Sequence, residues 1–130
     1  MIRVDGKGNI QYTRGDDEVI TVDLVEMPGR IPRSLASNET LVMTVRSPYR
    51  GLTYEFFGDI LFTTSVTGPS NRPALSINHS STSTAAFGRY VYDIELRKMS
   101  GSNIVSRTTV VGGDKEAPLE FYIVPEVTTQ

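Results

Sequence analysis

Apolar and polar residues alternate most cleanly over residues 88–96. Tyr90, Tyr92, Ile94 and Leu96 take every second position, and Arg89, Asp93 and Glu95 lie between them, with Val91 the one exception. A period of two belongs to a strand with one dry face and one wet face. The period recurs over 18–25, where Ile20, Val22 and Leu24 point one way and Thr21 and Asp23 the other. It returns at Leu41, Met43 and Val45, a run stopped by Ser47-Pro48. Residues 10–14, 74–78 and 104–111 are further short β-rich runs, and Phe121 and Ile123, extended to Val127, mark the last. The apolar and β-branched run 53–64 has Gly58-Asp59 in its middle. It reads either as two strands in a tight hairpin or as one bulged strand.

Turn residues separate these runs: 5–9, Pro28-Gly29-Arg30-Ile31-Pro32, the loop 67–73, Ser100-Gly101-Ser102-Asn103 and Gly112-Gly113-Asp114-Lys115. The Ser/Thr-rich stretch 79–86 has room for one helical turn, and no window carries a 3.6-residue period. The pattern predicts an all-β protein, an Ig-like antiparallel β-sandwich of seven to nine short strands. It is expected to be one domain over 1–130, with 1–9 and 125–130 as extended arms. The Ig-like reading rests on Gly88-x-Tyr90-x-Tyr92, which matches the tyrosine corner of such folds, where a Tyr opens a strand two residues before a core position. Ordinary aromatic packing in any sandwich is the equal alternative.

Composition narrows the function classes. At 130 residues the chain can bury a core without metal or disulfide help, although hydrophobic content is only 38% and Trp is absent. With no Cys, disulfides, thiolate metal sites and a Cys nucleophile are excluded. The net charge of −2 is spread without a basic block, so neither nucleic acid nor a membrane surface is an expected partner. No apolar stretch approaches the roughly 20 residues of a membrane helix. The start Met1-Ile2-Arg3-Val4-Asp5 lacks the apolar segment of an export leader, so a cytosolic product is expected.

Candidate chemistry is sparse. The single His79 stands beside Ser80 and Ser81, but no nucleophile elbow surrounds it, and a plain loop histidine is the expectation. Asp16-Asp17-Glu18 are adjacent and so would face opposite sides of a strand, which suits a solvated turn better than an acid/base pair. Residues 5–9 place Lys7 where a calcium loop wants an oxygen ligand. Arg14-Gly15-Asp16 spells an integrin-binding tripeptide, yet Gly with acidic neighbours is also ordinary turn chemistry. Asn38 and Asn78 head glycosylation tripeptides that mean little without export. Tyr49, Tyr54, Phe56 and Phe57 are the one group suited to stacking on a sugar. No catalytic, cofactor-binding or metal-binding residue is expected, and the reading is of a non-enzyme.

Three segments together carry a resemblance. Tyr12-Thr13-Arg14-Gly15-Asp16 leads into an alternating strand, the run 88–96 follows late in the chain, and 104–112 closes on 121–128. This resembles the small Ig-like sandwich of tailed-phage virion proteins, the N-terminal domain of the baseplate upper protein family above all. In that family a Gly-Asp turn precedes the second strand, a late strand begins Gly-x-Tyr, and a closing strand alternates. Gly15-Asp16, Gly88-x-Tyr90, and Phe121 with Ile123 stand in those places. The resemblance implies a bacteriophage virion structural protein of baseplate, tail or capsid decoration, assembled in the bacterial host cytoplasm. Its partners would be other virion proteins and copies of itself in a cyclic assembly. Arg14, Gly15, Asp16, Tyr90, Tyr92, Phe121 and Ile123 are the structural or assembly candidates. The runs 1–4 and 120–127 are expected as edge-docking elements. The alternative is a carbohydrate- or receptor-binding sandwich taking a host-surface glycan, with Tyr49, Tyr54 and Phe57 as the residues that would bind it.

Overall fold

The structure, a computed structural model, describes residues 2–4, 8–26, 28–48, 58–112 and 118–125. Within them the chain forms eleven strands and one short helix: β1 (Ile2–Val4), β2 (Ile10–Thr13), β3 (Glu18–Thr21), β4 (Leu24–Glu26), β5 (Ile31–Arg33), β6 (Glu39–Arg46), β7 (Ile60–Thr67), β8 (Ala74–Ile77), α1 (His79–Thr82), β9 (Gly88–Ser100), β10 (Asn103–Val111) and β11 (Leu119–Val124). The protein is all-β, as the alternation predicts.

The main sheet runs β1-β2-β11-β9-β6-β7, with β10 also paired to β9. The long strand β9 organises it. Along one side β9 pairs with β6 over its middle, Val42 opposite Glu95 and Met43 opposite Ile94. On the other side its first half pairs with β11, Phe121 opposite Tyr90, and its second half with β10, Thr108 opposite Leu96. β11 is therefore interior to the sheet, antiparallel to β9 and parallel to β2, with Phe121 opposite Ile10 and Val124 opposite Thr13. Two small antiparallel pairs, β3–β8 and β4–β5, lie outside this sheet.

One hydrophobic cluster joins the layers. The main sheet contributes Ile10, Tyr12, Leu41, Met43, Val45, Phe62, Tyr90, Tyr92, Ile94, Phe121 and Ile123. The rest of the chain contributes Val22, Leu24, Leu35, Leu75, Ile77 and Ala85. Each strand supplies alternate residues, as a pleated strand must when only one face is covered. Phe121 is the centre of the cluster. It is fully buried, with ring centroids 5.6 Å from Tyr12, 5.9 Å from Phe62 and 6.4 Å from Tyr92, the last two edge-on. Edge-on packing sets the positive ring edge against a negative face and adds to plain area burial.

Several expectations need correction. Strands exceed the seven to nine that turn spacing suggests, because three-residue pairings such as β1, β4 and β5 leave too little alternation to register in sequence. The run 18–25 is two strands in different sheets. The chain leaves β3 at Val22, whose N–H donates to the Pro73 carbonyl at 2.9 Å, and resumes as β4. Val22 and Leu24 stay buried throughout, so the alternation survives the change of sheet. Pro28 to Pro32 is not a simple break: Pro28 to Arg30 turn the chain, with Gly29 and Arg30 both at positive φ (95° and 53°), and Ile31 and Pro32 already belong to β5, which pairs back on β4. Over 53–64, residues 53–57 lie outside the described residues, and the strand β7 begins after Gly58-Asp59 and continues to Thr67. The arm expected over 1–9 contains edge strand β1, and 126–130 lie outside the described residues.

Replacing Phe121 with Ala is expected to destabilise the protein by about 3–5 kcal/mol, since a fully buried ring touching three others leaves a cavity that three strands border. Denaturant unfolding followed by circular dichroism measures this, and a loss under about 1 kcal/mol would contradict the central place given to the ring.

Candidate functional site

The turn after β2 carries most of the residues singled out from sequence. Gly15 sits at φ 84°, a left-handed conformation that glycine takes without steric cost. The Asp16 N–H donates to the Thr13 carbonyl at 3.2 Å and closes the turn. The turn is docked onto α1 and the segment after it. The Gly15 N–H donates to the Thr82 hydroxyl at 3.1 Å, and that hydroxyl lies 3.1 Å from the Tyr12 hydroxyl. Tyr12 in turn donates to the Asp16 carbonyl. Since a phenol has one proton to give, Thr82 must be the donor to Tyr12, which fixes the order of the chain. Thr82 is fully buried, and its hydroxyl has a partner both as donor and as acceptor. Burial, aided by the charges of Asp17 and Glu18, holds the Tyr12 phenol above its ordinary pKa, with the Thr82 hydrogen bond opposing the shift.

Arg14 completes the docking. Its guanidinium donates to the Ala85 carbonyl at 3.1 Å and stacks 4.1 Å above the centre of the Phe87 ring. The tripeptide Arg14-Gly15-Asp16 is thus a structural latch between β2 and the α1 segment. Its arginine is occupied within the chain.

Asp17 and His79 meet across the same junction. One Asp17 carboxylate oxygen accepts from the His79 backbone N–H at 2.7 Å and lies 3.0 Å from its Nδ1. Asn78, at the start of α1, makes no side-chain cap, so Asp17 caps the helix from a distant part of the chain. These two hydrogen bonds, the backbone one first, hold the Asp17 carboxyl below its ordinary range. Both side chains are exposed.

The aromatic candidates are interior. Tyr90, Tyr92, Phe121 and Ile123 are all buried in the core. The Tyr90 hydroxyl donates to the Ala86 carbonyl four residues upstream at 2.9 Å, and Tyr92 donates to the Gly8 carbonyl. Tyr49, Tyr54, Phe56 and Phe57 lie outside the described residues. Among the described residues, no three His, Asp or Glu side chains gather as a metal site.

The outer face of the main sheet is charged. Arg89 pairs with Glu120, which also accepts from the Tyr122 hydroxyl at 3.2 Å. Glu95 accepts from Arg97 at 2.7 Å and lies 4.0 Å from Arg107. Between them, desolvation first and the Glu95 charge second hold the Asp93 carboxyl above its ordinary range, against the pull of Arg46 and Arg97.

At the sheet edges the expectations divide. β1 is an edge strand, but residues 119–124 are not, because β2 and β9 flank β11 on both sides. An unforeseen edge is β10. Every residue from Asn103 to Thr109 is exposed, so both faces of the strand are in solvent. Ile104 and Val105 are 36% and 63% exposed. The signal available in sequence is the loss of alternation over 104–111, where the polar run Ser106 to Thr109 separates Ile104-Val105 from Val110-Val111. Sequence reasoning also missed Thr82, one hydroxyl among many in 79–86. Neither known protein families nor curated proteins provide a match for this chain.

Thr82→Val is expected to cost about 1–3 kcal/mol, because it strands the Gly15 N–H, whereas Tyr90→Phe, which deletes one hydrogen bond, should cost about 0.5–1.5 kcal/mol. Thermal and denaturant unfolding of both variants gives the comparison, and a costlier Tyr90→Phe would overturn the ranking. For Asp17 the depressed pKa means that its contribution is present above the unfolded value near 3.8 and is lost as pH falls through the lower folded value. The difference in Tm between the protein and Asp17→Ala should therefore narrow as pH falls below about 4, the sense that a lowered carboxyl pKa requires.

Proposed function

We propose that the chain is a non-enzymatic structural protein of a tailed-phage virion, an Ig-like sandwich acting through protein–protein contacts in a baseplate, tail or capsid decoration. The observation that carries the Ig-like part is the Tyr90 hydroxyl on the Ala86 carbonyl, two residues before the core residue Tyr92. This is the hydrogen bond that defines a tyrosine corner. The strand order β2-β11-β9-β6-β7, the parallel β2–β11 pair and the separate β3–β8 pair support the same reading.

The non-enzymatic part is supported by how the candidate groups are used. Arg14, Gly15, Asp17, His79, Tyr12, Tyr90 and Tyr92 each make contacts that hold one part of this chain to another. An assembly module needs such internal rigidity and an outward surface, and the charged sheet face with the uncovered β10 supplies the latter. The partners are other virion proteins and further copies of the chain, brought together in the bacterial cytoplasm.

Tailed particles purified from a culture that carries this gene should contain the chain at a fixed copy number by quantitative mass spectrometry. Its absence from intact particles, with the chain abundant in the same lysate, would overturn the proposal.

A further inference from the structure

Charge is divided unevenly between two surfaces of the molecule. Residues 95–112, which end β9 and form β10, contain Arg97, Lys98 and Arg107 against the single acid Glu95, which pairs with Arg97 and lies 4.0 Å from Arg107, in a chain whose overall charge is −2. Residues 15–27, which form β3 and β4, contain Asp16, Asp17, Glu18, Asp23 and Glu26 and no Lys or Arg. The first surface belongs to the main sheet and the second to the small pairs outside it. Lys98 and Arg107 are exposed on one, Asp23 and Glu26 on the other.

The two surfaces match in other respects. Each carries exposed aliphatic side chains among its charges: Ile104 and Val105 on β10, Val19 (56% exposed) on β3 and Val25 (41%) on β4. Among the described residues β10 pairs only with β9, and β3 only with β8, so each strand keeps an edge of backbone groups able to take a further strand. From Asn103 to Thr109 both faces of β10 are in solvent within one molecule, which leaves this part of the strand open to a second copy.

We infer that the basic β10 flange of one copy docks on the acidic β3–β4 surface of the next. The partner is a second copy of this chain, and the contact is head-to-tail, since the two surfaces differ. Such a heterologous contact leaves a flange and an acidic surface unused at the ends of every open oligomer, so it grows until it closes as a ring or extends as a filament. This names a partner for the assembly role proposed above and rests on that reading for its biological use, although self-association itself is measured on the isolated protein.

The test uses sedimentation of the full chain at low and high salt, with two charge-reversed variants, Lys98→Glu/Arg107→Glu and Asp23→Lys/Glu26→Lys. All four positions are exposed, and circular dichroism confirms that each variant folds. The expected result is concentration-dependent association of the unaltered chain, weakened about tenfold or more by salt that screens exposed charge. Each variant alone should stay monomeric, and an equimolar mixture of the two should associate again, because each then offers the charge that the other lacks. A monomeric unaltered chain at low salt overturns the inference. So does association that neither reversal weakens, or a mixture that stays monomeric. In those cases an assembly role with other virion proteins stands or falls separately, on the presence of the chain in purified particles.

Discussion

The burial of Phe121 is the constraint on which the rest depends. Its ring meets Tyr12 from β2, Phe62 from β7 and Tyr92 from β9, so one side chain of the last strand locks three others. The ring can reach them only if β11 lies inside the sheet, and that position makes the parallel pairing with β2 unavoidable. With β11 occupying the first half of β9, β10 is left to the second half, beside the same edge. The uncovered flange is therefore a consequence of where the core places the closing strand.

A second layer of order comes from polar groups. The Thr82 hydroxyl ties the Gly15 turn to α1 through Tyr12, and Arg14 extends the tie to Ala85 and Phe87. Such a network is stable only when every buried member has a partner, and here the Thr82 hydroxyl both donates and accepts. The result is that residue types associated with recognition or catalysis, an Arg-Gly-Asp tripeptide and a His beside an Asp, act as fasteners between strands distant in sequence. Among the described residues, charged sheet and uncovered edge face outward.

Alternation made the strands legible wherever one face is covered: 88–96, the run at Leu41 to Val45, and Phe121 with Ile123 all read correctly as strands with a dry face. The same signal could not tell that 18–25 changes sheets at Val22, because Val22 and Leu24 remain buried on both sides of the bend. Nor could it separate interior strands from edges. The alternation of 119–124 marks a covered face but not that β2 and β9 flank the strand on both sides. The docked turn was legible as a turn from Gly15, but its attachment was not, since Thr82 lies 67 residues from Gly15.

The parallel pairing of β2 and β11 also has a mechanical meaning. Because the two strands run in the same direction, a pull on the two ends of the chain drags them past each other along their length. After β1 peels from β2, the load would fall on the whole register from Ile10 opposite Phe121 to Thr13 opposite Val124 at once. Antiparallel neighbours opened from one end yield bond by bond, whereas strands loaded in shear share the force. The molecule is thereby braced along the axis joining its ends, the direction in which a chain anchored on both sides would be stretched.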